Sequence, residues 1–200
     1  FLRGDNSWAA AGVTTLGGMT DVSMDITNFV DGLLIQPNSD GSAPTTGTLS
    51  GANYNTGIGK STFTALTSGD YNTGYGYNTL VALTTGNQNT ALGAHALDEM
   101  TTGGDTTAVG HNSLGANTTG ANNVAVGTNA LAANTTAFNN TAVGKSALTA
   151  NTTGANNVAI GHNAMDACTT GNTNTAVGEN ALGGVTTAYN STAVGYNALL

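Results

Sequence analysis

The feature that most limits what this chain can fold into is a glycine that returns every 17 residues. Gly59, Gly76, Gly93, Gly110, Gly127, Gly144, Gly161, Gly178 and Gly195 keep that step across nine units without an insertion. An unbroken period of this length marks a repeat architecture, in which each unit contacts chiefly its neighbours. Other columns fall into the same register. Directly before the glycine stand Ile58, Tyr75, Leu92, Val109, Val126, Val143, Ile160, Val177 and Val194. Four residues after it stand Phe63, Leu80, Leu97, Leu114, Leu131, Leu148, Met165, Leu182 and Leu199. Two before it every residue is small: Gly57 and Gly74, then alanine from Ala91 to Ala193.

The unit reads Asn-Thr-Ala-Val-Gly-x-Asn-Ala-Leu, followed by a turn-like stretch containing Thr-Thr-Gly or Thr-Thr-Ala. Two strongly apolar positions per unit are too few for a core. Stacking identical units would turn them into continuous apolar columns, which is the logic of a solenoid. A helical repeat is excluded, because 17 residues cannot hold a helix pair with its loops. Thr, Asn, Gly and Val are also poor helix formers. The spacing therefore predicts an all-β fold, a parallel β-solenoid or β-roll of nine repeats over residues 51–200. Two strands of about five residues plus two turns fit each unit. Coils ~4.8 Å apart would carry the eight steps over roughly 40 Å. Spacing leaves open whether each chain coils alone or three intertwine.

Stacking also predicts side-chain ladders. Asn78, Asn112, Asn129, Asn163, Asn180 and Asn197, two after the glycine, would form an amide ladder. Thr84, Thr101, Thr118, Thr135, Thr152, Thr169 and Thr186 would form a second one. The small column would let backbones approach closely, across the coil or between chains. Residues 1–50 do not repeat. Their apolar bursts at 22–30 and 33–35, and a turn-rich stretch at 37–44, predict short strands forming an N-terminal adaptor or cap. The shaft is expected to continue past Leu200, since the chain stops inside a repeat.

Composition narrows the function. Only 7% of residues are charged and the formal net charge is −8. Arg3, Lys60 and Lys145 are too few and too scattered to neutralise a run of phosphates, so nucleic acid is excluded as a partner. No stretch approaches the ~20 apolar residues that span a membrane, so no membrane insertion is expected. The polarity resides in Asn, Thr and Gly set in a fixed rhythm, unlike the Pro-, Lys- and Glu-rich composition of disordered segments.

The Asn-Thr-Ala-Val-Gly-x-Asn-Ala-Leu unit, as at residues 174–182, resembles repeats in the tail-fibre proteins of tailed phages. The opening Phe-Leu-Arg-Gly-Asp-Asn-Ser-Trp at residues 1–8 looks like a linker of such fibres, and residues 16–25 are similar to fibre segments. The Ala-Val/Ile-Gly core is also similar to the head repeats of trimeric autotransporter adhesins, whose repeats are shorter and carry Ser where this chain has Thr. The resemblance implies a homotrimer located in the virion, with a bacterial cell surface as the alternative. It implies as partners the chain itself, other virion tail proteins, and the host cell surface through regions outside residues 1–200.

No motif points to catalysis or a cofactor. Gly59-Lys60-Ser61-Thr62 lacks the upstream glycine of a phosphate-binding loop, since position 54 is Tyr54. Its pattern recurs in repeat phase at Gly144-Lys145-Ser146. Arg3-Gly4-Asp5 is an incidental match to an integrin-binding tripeptide. His111 and His162 share a column three coils apart, about 14 Å, too far for one metal ion. Asp98 and Glu99 are adjacent and have no second carboxylate placed as a partner. Cys168 reads as a neutral substitution in a loop column that also holds Asn151. The glycosylation sequons at Asn117, Asn134 and Asn151 read as repeat columns. The expected function is a non-enzymatic fibre shaft that projects a receptor-binding tip. A surface adhesin is the alternative and an ice-binding solenoid a remote one, because spaced Thr-x-Thr pairs do not recur in register.

Overall fold

In the computed structural model, residues 22–23, 32–36 and 46–200 are described. Their strands are β1 (Val22–Ser23), β2 (Leu33–Ile35), β3 (Thr56–Ile58), β4 (Thr73–Tyr75), β5 (Thr90–Leu92) and β6 (Thr107–Val109). These are followed by β7 (Val124–Val126), β8 (Thr141–Val143), β9 (Val158–Ile160), β10 (Thr175–Val177) and β11 (Thr192–Val194). All lie in one sheet in sequence order. From β2 to β11 every pair is parallel, and from β3 on each residue faces the one 17 positions further along. The chain is a β-solenoid coiled within a single polypeptide. The expected adaptor region lies mostly outside the described residues. Within it, β2 adds a rung below β3, and β1 turns back to pair antiparallel with β2.

Each coil has one strand of three residues rather than two of about five. The reason is conformational. Four positions per coil take φ > 0, and no extended strand can run through them. The repeat glycine is one, with φ between +127° and +141°. The others lie five before it, two after it and four after it, as at Asn122, Asn129 and Leu131. At these corners the hydrogen-bonding direction reverses. Gly76 and Asn78 donate to Ile58 and Lys60 on the preceding coil, whereas Leu80, Ala82 and Thr84 donate to Ala96, Asp98 and Thr101 on the next. The backbone of every inner coil is thus bonded on both sides around much of its circumference. That meets the requirement that buried peptide groups be paired.

Asn at the first two non-glycine corners follows from its tolerance of the left-handed region. The third corner is unusual, because it holds Phe63, a run of leucines and Met165, all with φ between +50° and +61°. A left-handed conformation costs such a residue roughly 1–2 kcal/mol. Full burial of the side chain returns about 1.5–3 kcal/mol, so burial wins. Leu97, Leu114, Leu131, Leu148 and Leu182 are all in the interior, where they form the principal apolar column.

The rest of the interior is small or polar. Opposite the leucines stands the small column, fully buried from Ala91 to Ala176. A methyl added at Gly57 would sit 2.8 Å from the Phe63 ring and one at Gly74 2.7 Å from Thr62, so the closeness is across the coil. A third interior column is asparagine: Asn55, Asn72, Asn89, Asn123, Asn140, Asn157 and Asn174, with Thr106 interrupting it. Each Nδ2 donates to a backbone carbonyl 14 residues on, at 2.8–3.0 Å. Outside the Thr106 interruption, each Oδ1 accepts the backbone N–H of the next coil at 2.8–3.0 Å.

Two outcomes are expected. Gly127→Ala would force φ +137° on alanine and place its methyl 2.4 Å from the Gly144 carbonyl oxygen. Its stability in urea melts should fall by about 3 kcal/mol or more. Gly195→Ala, with nothing closer than 4.0 Å, should fall less. Asn157→Ala should lower stability by about 2–3 kcal/mol in the same assay, because it strands the buried Asn174 N–H and the Gly171 carbonyl.

Candidate functional site

A three-residue strand has one inward position and two outward ones. In every coil from β3 to β11 the middle residue, Gly57, Gly74 or an alanine, is the buried one. The outward positions are therefore the threonine that begins the strand and the apolar residue before the repeat glycine. The column from Ile58 to Val194 is thus not part of this chain's core. Ile58, Val109, Val126, Val143 and Val177 are half-buried, Ile160 is 40% exposed and Leu92 46%. Val124 and Val158 replace threonine at the strand start and widen the stripe. The result is an apolar column over nine coils beside a threonine-rich one, and neither column bears a charge.

The other predicted columns divide. The threonines from Thr84 to Thr186 do stack, but each hydroxyl from Thr84 to Thr169 donates to the backbone carbonyl of the threonine one coil on. That ladder runs from side chain to backbone. The asparagines two after the glycine make amide-to-amide bonds only at Asn112–Asn129 and Asn180–Asn197. Ser61, His95 and Ser146 interrupt them, and what the position requires is a left-handed corner. The longest amide ladder is instead the buried one, at the asparagine opening Asn-Thr-Ala-Val-Gly, broken at Thr106. Its signal was the near-invariance of that residue four before the glycine.

Two of the candidate histidines each meet a single carboxylate. His95 Nδ1 lies 3.1 Å from the Asp98 carboxylate, and His162 Nδ1 lies 3.6 Å from that of Glu179. His95 and His111 meet edge to face with centroids 6.0 Å apart. Among the described residues no three His, Cys, Asp or Glu side chains gather as a metal site. Lys60 and Lys145 are exposed in one column beside the repeat glycine. Arg3-Gly4-Asp5 lies outside the described residues. Among those described, no helix is long and apolar enough to cross a membrane.

Asn117, Asn134 and Asn151 are buried, not looped out, and donate to the carbonyls of Gly120, Ala137 and Gly154. They also bond one another, Asn134 to Asn117 at 2.8 Å and Asn151 to Asn134 at 3.1 Å. Cys168 occupies the next rung of this interior column, a correction to its reading as a loop position. Burial pushes its thiol pKa up, partly offset by hydrogen bonds from the backbone at Gly171 and Ala188. Where the ladder stops at Cys168, Asn151 Oδ1 is left without a partner. No protein-family model, curated protein or solved structure matches the chain.

Cys168→Asn should extend the ladder by one rung and raise stability by about 1 kcal/mol in urea melts. The native Cys168 thiol should resist alkylation at pH 8 and react once the chain is unfolded, as read by mass spectrometry. Raised by burial, it holds less thiolate than an exposed cysteine.

Proposed function

We propose that this chain is the shaft of a homotrimeric phage tail fibre, a non-enzymatic spacer that projects a host-receptor-binding tip. The observation that carries the reading is the uncharged apolar face outside the coil, from Ile58 to Val194. A contiguous exposed apolar face of this extent marks an interaction surface. Its rungs recur at the strand spacing of ~4.8 Å, so the surface that matches it rung for rung is another copy of the same coil. Three copies sharing this face would remove it from water and leave turns outside. Those turns are rich in Asn, Thr and Gly and poor in charge, which suits a spacer. The ladders and bonded turns supply resistance to unfolding.

Sedimentation equilibrium on residues 1–200 should give three times the mass of one chain. Val126→Asp with Val143→Asp places six carboxylates at the shared face of a trimer and should yield a monomer with unchanged far-ultraviolet circular dichroism. A monomeric wild type would overturn the trimer. It would also reopen ice binding, to be tested by ice recrystallisation inhibition. Immunogold labelling with antibody to residues 51–200 should decorate tail appendages of virions. Gold on cell envelopes would replace the fibre by an adhesin.

A further inference from the structure

The interior columns change character at one place. Seven residues after the repeat glycine, the buried column runs Leu66, Leu83, Met100 and then Asn117, Asn134, Asn151. In the asparagine column four before the glycine, the coil between those two sets carries Thr106. Three residues after the glycine, Thr62 and Thr79 join hydroxyl to hydroxyl at 3.0 Å, and the next rung is Ala96. All three changes fall within or beside residues 96–117.

The hydrogen bonds record the break. Amide-to-amide bonds of 3.0 Å join Asn72 and Asn89 to the preceding asparagine below it, and Asn174 to Asn157 above it. Thr106 sends its hydroxyl to Gly104 in its own turn. Its backbone N–H reaches Asn89 at 3.2 Å, and Asn123 N–H reaches the Thr106 hydroxyl at 3.5 Å. The corresponding backbone bonds elsewhere in the column are 2.8–3.0 Å. Asn117, first of its set, has Met100 below it, which offers no amide to bond. The threonine ladder and the backbone bonds do cross this coil.

In a solenoid, stability is close to a sum of coil terms and nearest-neighbour interface terms, so a weak interface uncouples what lies on either side. From this we infer that the shaft consists of two cooperative blocks, residues 51–100 and 118–200, and that the coil at 101–117 is a built-in seam where one opens without the other. The lower block carries an apolar column at this position and the upper block a second amide ladder as far as Asn151, so the two differ in what opens them. The seam belongs to the fold and does not depend on what the shaft carries.

Native-state hydrogen exchange of the full chain in low urea, read by mass spectrometry, tests this. Backbone amides should sort into two groups that open separately, with the boundary at residues 101–117. Thr106→Asn restores the missing rung. It should merge the groups, slowing exchange in the less protected one by about fivefold to tenfold. Asn140→Thr should create a second boundary near residues 135–151. A single group, or protection that only grades inward from both ends, would overturn the seam. A boundary at 101–117 unmoved by Thr106→Asn would overturn the ladder as its cause.

Discussion

Every coil has to return to the same axial line after 17 residues, and the rest of the structure depends on how that closure is made. Four left-handed corners bend the chain round, and between them backbone groups point along the axis to meet the coils above and below. Closure this tight leaves little interior. It admits the leucine column that runs the length of the coil, a facing column of methyl groups, a second column that changes from Leu66, Leu83 and Met100 to asparagine, and the asparagines four before the glycine. The left-handed leucines show how the balance falls. Local strain is accepted because the same residue fills interior space that its burial removes from water.

The asparagine ladder follows from the same constraint. A corner in so narrow a coil leaves carbonyls facing inward with no N–H opposite, and buried carbonyls need donors. Asparagine supplies two donors and an acceptor from one short side chain. One amide therefore satisfies a carbonyl 14 residues on, while its oxygen takes the N–H of the next coil. A hydrophobic residue of that size would leave both groups unpaired. Polarity in the core and apolarity on the face are thus two sides of one geometry. Because the inside of the strand has room only for alanine, the valines stand outside, available to a neighbour.

Period, register and class of fold could be read directly from the chain, because a strict repeat constrains every position at once. The leucine column was also legible as a continuous apolar column, since a large apolar side chain recurs there in every unit. Side-chain direction was less legible. The valine column looked like core on chemistry alone, and a strand of only three residues offers no alternation long enough to correct that impression. The asparagines two after the glycine looked like a ladder, yet their frequency reflects backbone conformation. Those four before it, which do form the ladder, carry the same residue name, and only their near-invariance set them apart.

What the sequence by itself determined is therefore the repetition: a parallel coil, its 17-residue step and the columns that stack. Identity in register is enough for that, since any stacked arrangement brings like residues together. What only the tertiary structure decided is which columns face in and which face out. It placed Cys168 and the sequon asparagines in the core and the valines on the surface. The physical reason is that inside and outside are set by the signs of four φ angles per coil. Three of those signs fall on residues that can also adopt ordinary right-handed or extended conformations, so composition does not announce them.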